Sequence, residues 1–509
     1  MWNEGYVSEI EYIYGYYNEL NPLRVNLSLI SAGIKPPEIK NACELGFGQG
    51  LSLVSHAASF NINWYGNDFN PHQAAFASEI SKEIDPKVAI SDEDFSTFCS
   101  RDDLPNFNFI ALHGIWSWIS QRNQSIIVDF IKRKLNVGGV VYISYNVPPG
   151  WASMLPMRDL LVAYTQKNIA NSAQLSGKIS SSMEFANRLM AVEPAFAAAN
   201  PSLSKRLELM AGQDARYLAH EYFNADWSPM SFMSLNKAFS AAKLSFAISS
   251  NVLDTVPVIN FSEDQLKLLN EIEDVEYKEM IKDFVINQTF RRDLWVKGAR
   301  KLASHEKAAA LRELNFTLVS KAANVELEVQ GARGKANLNS EVYQQVLASL
   351  EVMDRCTIED LQKSLLGKVS QDQILEAINI LVGKGDLAPA LPREASKARK
   401  KYTDQVNSKL IDRAISSDDI TYLFSPVTGG GLKVSRFEKL VLHALSQDIK
   451  GNENIAKYVW SILGSQGQKL QNKGKVLEGD AENLDYLKTL VTEFFESRIH
   501  AFERLEIAV

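Results

Sequence analysis

Between residues 41 and 144 the chain alternates short apolar runs with stretches whose apolar positions recur every three or four residues. The first pattern is that of strands buried on both faces, the second that of amphipathic helices. Strands are predicted at 42–45, 63–67, 87–90, 107–112 and 140–144, with helices at 51–59, 72–84 and 123–135. Strands and helices alternating at this length predict an α/β fold with an open parallel sheet. Ahead of it, residues 23–34 have helical spacing that stops at Pro36-Pro37, because proline excludes the residue before it from the helical region.

Beyond residue 155 the pattern is mainly helical, at 157–172, 183–190, 202–219, 263–271 and 276–288. One short strand, 244–249, reads as an addition to the sheet edge. The stretch Gly331-Ala332-Arg333-Gly334-Lys335 has the composition of a linker or hairpin tip. Helices at 339–350, 357–366 and 370–384, then a strand following Gly385, predict a winged-helix-like unit. Its third helix carries Gln371, Asp372, Gln373 and Glu376, which favours protein contact over nucleic acid. The basic run Arg393, Lys397, Arg399, Lys400 and Lys401 reads as a solvated helix face. A loop at 428–431 and helices at 436–447 and 480–499 close the chain. Four units are expected: 1–154, 155–330, 331–395 and 396–509. The helical region after 155 fits a homodimer arm and a substrate cap equally well.

At 509 residues the chain exceeds one core. Its 46% apolar and 23% charged residues are ordinary for a globular protein. No run of 18 apolar residues appears, so no membrane span is expected. The start, Met1-Trp2-Asn3-Glu4, lacks a signal-peptide pattern. Cys43, Cys99 and Cys356 are scattered without metal-ligand spacing, so a cytoplasmic protein without a metal is expected. Of the net charge of −7, residues 1–150 hold nearly all, with ten Lys/Arg against sixteen Asp/Glu. That balance disfavours nucleic acid and favours a cationic partner.

The chemistry collects at the predicted carboxyl ends of the strands, where open sheets bind ligands. After the first strand, Glu44 is followed by Gly46, Phe47, Gly48 and Gly50. The glycines are spaced two and two, unlike a dinucleotide fingerprint, and suit a ligand with an amino-acid end and no pyrophosphate. Glu44 can take the ligand's ammonium through a charge-assisted hydrogen bond. Asp68, with Phe69 beside it, ends the second strand, where a carboxylate can accept both ribose hydroxyls. Asp94 follows the third and can accept from an adenine amino group, with Phe95 over the ring. Tyr6, Tyr12, Tyr14, Tyr16 and Tyr17 crowd the N-terminal arm, either as a lid or as rings packed on the core.

These residues resemble the class I S-adenosylmethionine-dependent methyltransferases. Further stretches are similar to the bacterial methyltransferases that carry a methyltransferase regulatory domain. They are His113–Trp118, Ser144–Trp151, Tyr217 with His220–Phe223, Trp227–Pro229, Phe290–Asp293, Gly385–Pro389 and Tyr422–Val427. The best fit is to rickettsial-type protein lysine methyltransferases that modify outer-membrane proteins. One departure is Phe47-Gly48-Gln49, where relatives often have Cys-Gly-Asp or Cys-Gly-Gly. The resemblance implies a Rossmann-like methyltransferase sheet, S-adenosyl-L-methionine as cofactor and a lysine-containing surface protein as substrate.

It also implies in-line methyl displacement by an amine. Deprotonating a lysine at pH 7 costs about 4.6 kcal/mol, and a desolvating aromatic channel reduces that cost. Trp116, Trp118, Tyr145 and Trp151 lie beside the ends of the last two parallel strands. The Tyr145 hydroxyl and Asn146 carboxamide are placed to accept from the amine. Core packing is the competing reading for each tryptophan. His113 reads as a wall of the adenine side, His220-Glu221 as a helix–helix contact, and Arg291, Arg292 and Asp293 as an interdomain ion-pair cluster. A sugar, lipid or small-molecule acceptor, or a cofactor-sensing scaffold without turnover, stays open at this point.

Overall fold

The structure is a computed structural model that describes Tyr6 and residues 12–168 and 175–507. Five strands lie parallel: β1 (Asn41–Leu45), β2 (Asn63–Asn67), β3 (Ala89–Ser91), β4 (Phe107–Leu112) and β5 (Leu135–Asn146). Two more, β6 (Leu244–Ser249) and β7 (Phe290–Lys297), complete a sheet of order β3-β2-β1-β4-β5-β7-β6. β7 runs antiparallel to both neighbours. The order reverses between β1 and β4, which makes the crevice above their carboxyl ends a topological switch point.

Side chains alternate between the two faces of the sheet. Ala42, Phe109, Ala111, Val140 and Tyr142 pack under α2 (Leu51–Ser59) and the C-terminal helices. The alternate positions Cys43, Ile110, Leu112, Val141, Ile143 and Tyr145 pack against Phe130 and Ile131 of the helix Gln121–Lys134 and against Phe232–Ser240. (α1, α3 and α4 are the helices Pro22–Ser31, Pro71–Ser81 and Phe95–Ser100, and α5 is Gln121–Lys134.) Both faces are therefore covered, which is why β1, β4 and β5 are apolar almost throughout. The helix starts are capped as their sequences suggest: Asn21, Asn70, Asp94 and Ser120 accept backbone N–H groups of α1, α3, α4 and α5.

Four features differ from the sequence expectations. β7 was not expected as a strand, because Arg291 and Asp293 sit where a buried strand carries apolar residues. They pair instead, as described below. The predicted helix 202–219 is two, Ser202–Ala211 and Ala215–Tyr222, broken at Gly212. The basic run is not a solvated face throughout: Arg399 is buried and reaches the sheet domain, donating to the carbonyls of Ala57, Ala58 and Asp85. A further helix, Asn452–Ser465, packs in the C-terminal region. That region shares one core with α2, as Val406, Leu410, Phe424 and Leu440 join the cluster around Val54 and Trp64.

The winged-helix-like unit packs around Phe316, Leu347, Ile378 and Leu381, in a core that Leu27, Val252 and Val256 join. Its helices Ser340–Met353, Ile358–Ser364 and Gln371–Lys384 pack on an antiparallel sheet of Arg355–Thr357, Asn315–Leu318 and Leu387–Ala390. The glycines at 331 and 334 flank a hairpin tip between Glu328–Gly331 and Gly334–Asn337. Among the described residues, no helix is long and apolar enough to cross a membrane.

Candidate active site

The turn after β1 is built by its glycines. Gly50, at the N-cap of α2, has φ of 73°, and a Cβ there would stand 2.7 Å from Ala77 Cβ. A side chain is thus excluded twice, by conformation and by space. The turn presents backbone to a cavity of about 1090 Å3, open mouth included, at the ends of β1, β2 and β4. Its walls include Glu44, Gly46, Phe47, Gly48, Asp68, Phe69, Asp94, Phe95 and His113. Gly50 alone of the expected cofactor-binding residues shapes the turn from behind.

Two carboxylates dominate this cavity. Glu44 is buried, and its Oε2 has no hydrogen-bond partner in the protein. Burial first, then the neighbouring Asp68, raises its pKa to about 8. Burial likewise raises Asp68 to about 7, against N–H donors from Asn70 and Gly48. Asp68 Oδ2 accepts from Gly48 N at 2.8 Å and Oδ1 from Asn70 N at 3.0 Å. With its amide nitrogen turned inward, Gln73 donates to Oδ1 at 2.8 Å. Asp68 therefore braces the glycine turn and the start of α3, and has less capacity for two ribose hydroxyls than a free carboxylate. Asp94 spends Oδ1 on capping α4, accepting from Thr97 N at 2.8 Å.

His113 closes one wall. Its Nδ1 lies 2.8 Å from the Tyr142 hydroxyl, and its ring stacks on Tyr17 at 3.7 Å between centroids. Burial lowers its pKa to about 4, so it is neutral at pH 7. The N-terminal tyrosines divide their tasks. Tyr6, Tyr12 and Tyr17 line the cavity, Tyr14 packs on Phe76, and Tyr16 enters the core beside His56.

A second, wider cavity adjoins the first and shares Tyr6, Tyr12, Tyr17, His113, Gly114 and Trp118 with it. Asn146 and Trp151 line it. Trp151 donates to the Thr289 carbonyl at 2.9 Å and carries the Arg206 guanidinium 3.7 Å above its ring. Two residues expected here lie elsewhere. Tyr145 and Asn146 are neighbours on β5, so their side chains leave opposite faces of the sheet. Tyr145 is fully buried and donates to Asp293 Oδ2 at 2.8 Å. Trp116 is buried against Phe239, with its indole N–H on the Met230 sulfur at 3.5 Å. Core packing is the role of both.

Arg206, Tyr217, His220, Glu221 and Tyr222 also line the second cavity. The sequence places them on amphipathic helices, with no local sign that they converge on the end of β5. His220-Glu221 is therefore not merely a helix–helix contact. The pair Arg291–Asp293 is a buried network within the sheet region, extended to Asp283 and Glu279.

Residues 214–297 match the family described as "Predicted methyltransferase regulatory domain". An uncharacterized protein of Synechocystis is 36% identical over 513 residues, covering all of both chains. The chain belongs to the methyltransferases that carry this regulatory domain. An uncharacterized Rickettsia prowazekii protein is 24% identical over 60% of this chain and 55% of its own length. Two structures of PKMT2 from Rickettsia typhi, one in complex with AdoHcy, match with a TM-score of 0.68 at 17% identity. They cover 95% and 97% of this chain and 98% and 99% of their own, so the fold is shared end to end. In this methyltransferase the regulatory segment is part of the sheet, since it supplies β6, β7 and a wall of the second cavity.

Proposed function

We propose that this methyltransferase uses S-adenosyl-L-methionine to methylate lysine side chains of surface or outer-membrane proteins. The observation that carries the reading is the buried Glu44 carboxylate beside the glycine turn, whose Oε2 has no protein partner, in a cavity that adjoins a second one. A buried carboxylate without a partner is costly, and a ligand ammonium removes that cost. The residues present fit this cofactor: Glu44 for its ammonium, the Gly46–Gly48 backbone for close approach, Asp68 for the ribose, and Asp94 with Phe95 for the adenine. When bound, it supplies a methyl group made electrophilic by a sulfonium. The chain supplies orientation and a water-poor path for the acceptor, through Trp118, Trp151 and Asn146.

The lysine assignment is supported by the aromatic and carboxylate lining of the second cavity and by the rickettsial-type motifs. The fold shared with PKMT2 agrees with it. Incubation with tritiated S-adenosylmethionine and purified cell-envelope proteins is expected to put label on lysines, located by mass spectrometry. Label confined to lipid or sugar would contradict the acceptor class.

A further inference from the structure

Glu221 is the carboxylate on the wall of the second cavity that the reading above leaves without a task. It sits on the helix Ala215–Tyr222, half-buried. That helix is fixed to the sheet domain, with Trp118 Nε1 donating to the Glu221 carbonyl at 3.2 Å. The Asn146 carboxamide, itself buried, stands beside the Glu221 carboxylate and favours its charged form. It does so without a fully formed hydrogen bond, and its nitrogen has no other protein partner.

The titratable groups around Glu221 come from three elements: Tyr6 and Tyr12 from the N-terminal arm, Tyr217, His220 and Tyr222 from its own helix, and Arg206 with the exposed Lys205 from Ser202–Ala211. His220 packs against the rings of Tyr6 and Tyr12, at 5.5 and 5.0 Å. Arg206 is engaged elsewhere, donating to the Gly150 carbonyl at 2.8 Å and stacking on Trp151. What remains is one carboxylate ringed by tyrosines next to the cavity for the methyl donor. Aromatic faces and a carboxylate together select a cation.

We propose that Glu221 binds the ammonium group of the acceptor and takes its proton, with Asn146, Tyr12 and Tyr217 walling the site. The proposal rests on the amine-acceptor reading given above. An N–H bond of the ammonium breaks, its electron pair stays on nitrogen, and the proton passes to a Glu221 oxygen. The nitrogen pair then forms the bond to the methyl carbon as the carbon–sulfur bond breaks, its pair remaining on sulfur. The proton leaves Glu221 through the cavity mouth to solvent. Burial raises the Glu221 pKa to about 7, with Asn146 and Arg206 acting against it. A base titrating near the working pH is the effective kind.

The test uses the full chain, S-adenosylmethionine and a peptide with a single lysine, comparing wild type with Glu221→Gln and Glu221→Asp from pH 6 to 10. Wild-type kcat/KM is expected to rise through about pH 7 and level off. The Gln variant must draw on amine that is already neutral in solution. Its rate should be roughly 100-fold lower at pH 7.5 and climb about tenfold per pH unit toward the lysine pKa. Glu221→Asp should recover part of the neutral-pH rate, and the affinity of all three proteins for S-adenosylhomocysteine, read by calorimetry, should agree. An unchanged rate in the Gln variant, or a loss that is the same at every pH, overturns the assignment of Glu221 alone. A wild-type chain that binds S-adenosylhomocysteine but methylates no amine overturns the acceptor reading and this proposal with it.

Discussion

Replacing Arg291 by methionine is expected to lower stability by about 3–5 kcal/mol at pH 8, the range for breaking a buried ion pair by removing one partner. The guanidinium is buried and holds three carboxylates: Asp293 Oδ2 at 2.8 Å, Asp283 Oδ1 at 2.7 Å and Glu279 Oε2 at 2.9 Å. It also lies over the Phe232 ring, at 4.6 Å, a contact that methionine keeps in part. Without it, Asp293 is left with the Tyr145 hydroxyl as its charge-stabilising partner. The deficit has a pH sign. Burial already raises Asp283 to about 7 and raises Asp293, with Arg291 opposing. Removing Arg291 raises both further, so the variant regains stability as pH falls and these groups take up protons. Urea unfolding at pH 8 and pH 6 measures this. A deficit below about 1 kcal/mol at pH 8, within the range of a weak surface pair, would show that the network does not hold β7 in the sheet.

Glu44→Gln should separate stability from binding. In the ligand-free protein Glu44 keeps its proton to about pH 8, whereas an unfolded glutamate has released it above about 4.5. The native state therefore holds the extra proton across that window, and this group's contribution to stability falls as pH rises through it. Glutamine carries no charge to bury, so the ligand-free variant should be at least as stable as wild type, and more so at pH 9. Cofactor binding should move the other way. A charge-assisted hydrogen bond contributes about 1.5–3 kcal/mol, or roughly 10–100-fold in affinity. In wild type, binding should also release protons near pH 7, as the ligand's ammonium drives Glu44 to ionise. Calorimetry in buffers of different ionisation enthalpy counts them. A variant that loses stability while keeping both affinity and proton release would place the ammonium elsewhere.

What could be read from the residues alone follows from which interactions are local. β1 to β5 are buried on both faces, so their apolar runs stand out, and the glycine turn announces itself by spacing. The caps Asn70 and Asp94 lie next to the helices they start. β7 escapes because a buried arginine and aspartate satisfy each other, and only the fold shows that the charges are paired. Tyr145 misled for a related reason. Its neighbour Asn146 lines the second cavity, and strand alternation sends the Tyr145 hydroxyl to Asp293, 148 residues away in sequence. Arg399 looked like one of several solvated cations because its acceptors are carbonyls of α2 and the loop after α3. Glu221 stands in a stretch marked only by resemblance, with nothing local to point it at a cavity; its place on the same wall as Asn146 arises only when the regulatory segment folds back to add β6 and β7 to the sheet.

A crystal structure of the full chain with S-adenosylhomocysteine tests the account most directly. The account predicts the ligand's amino group on the Glu44 carboxylate, its adenine between Asp94 and Phe95, and its sulfur facing the cavity lined by Asn146 and Glu221. A ligand bound away from the Glu44–Gly50 turn, or a sulfur sealed from that second cavity, would contradict it.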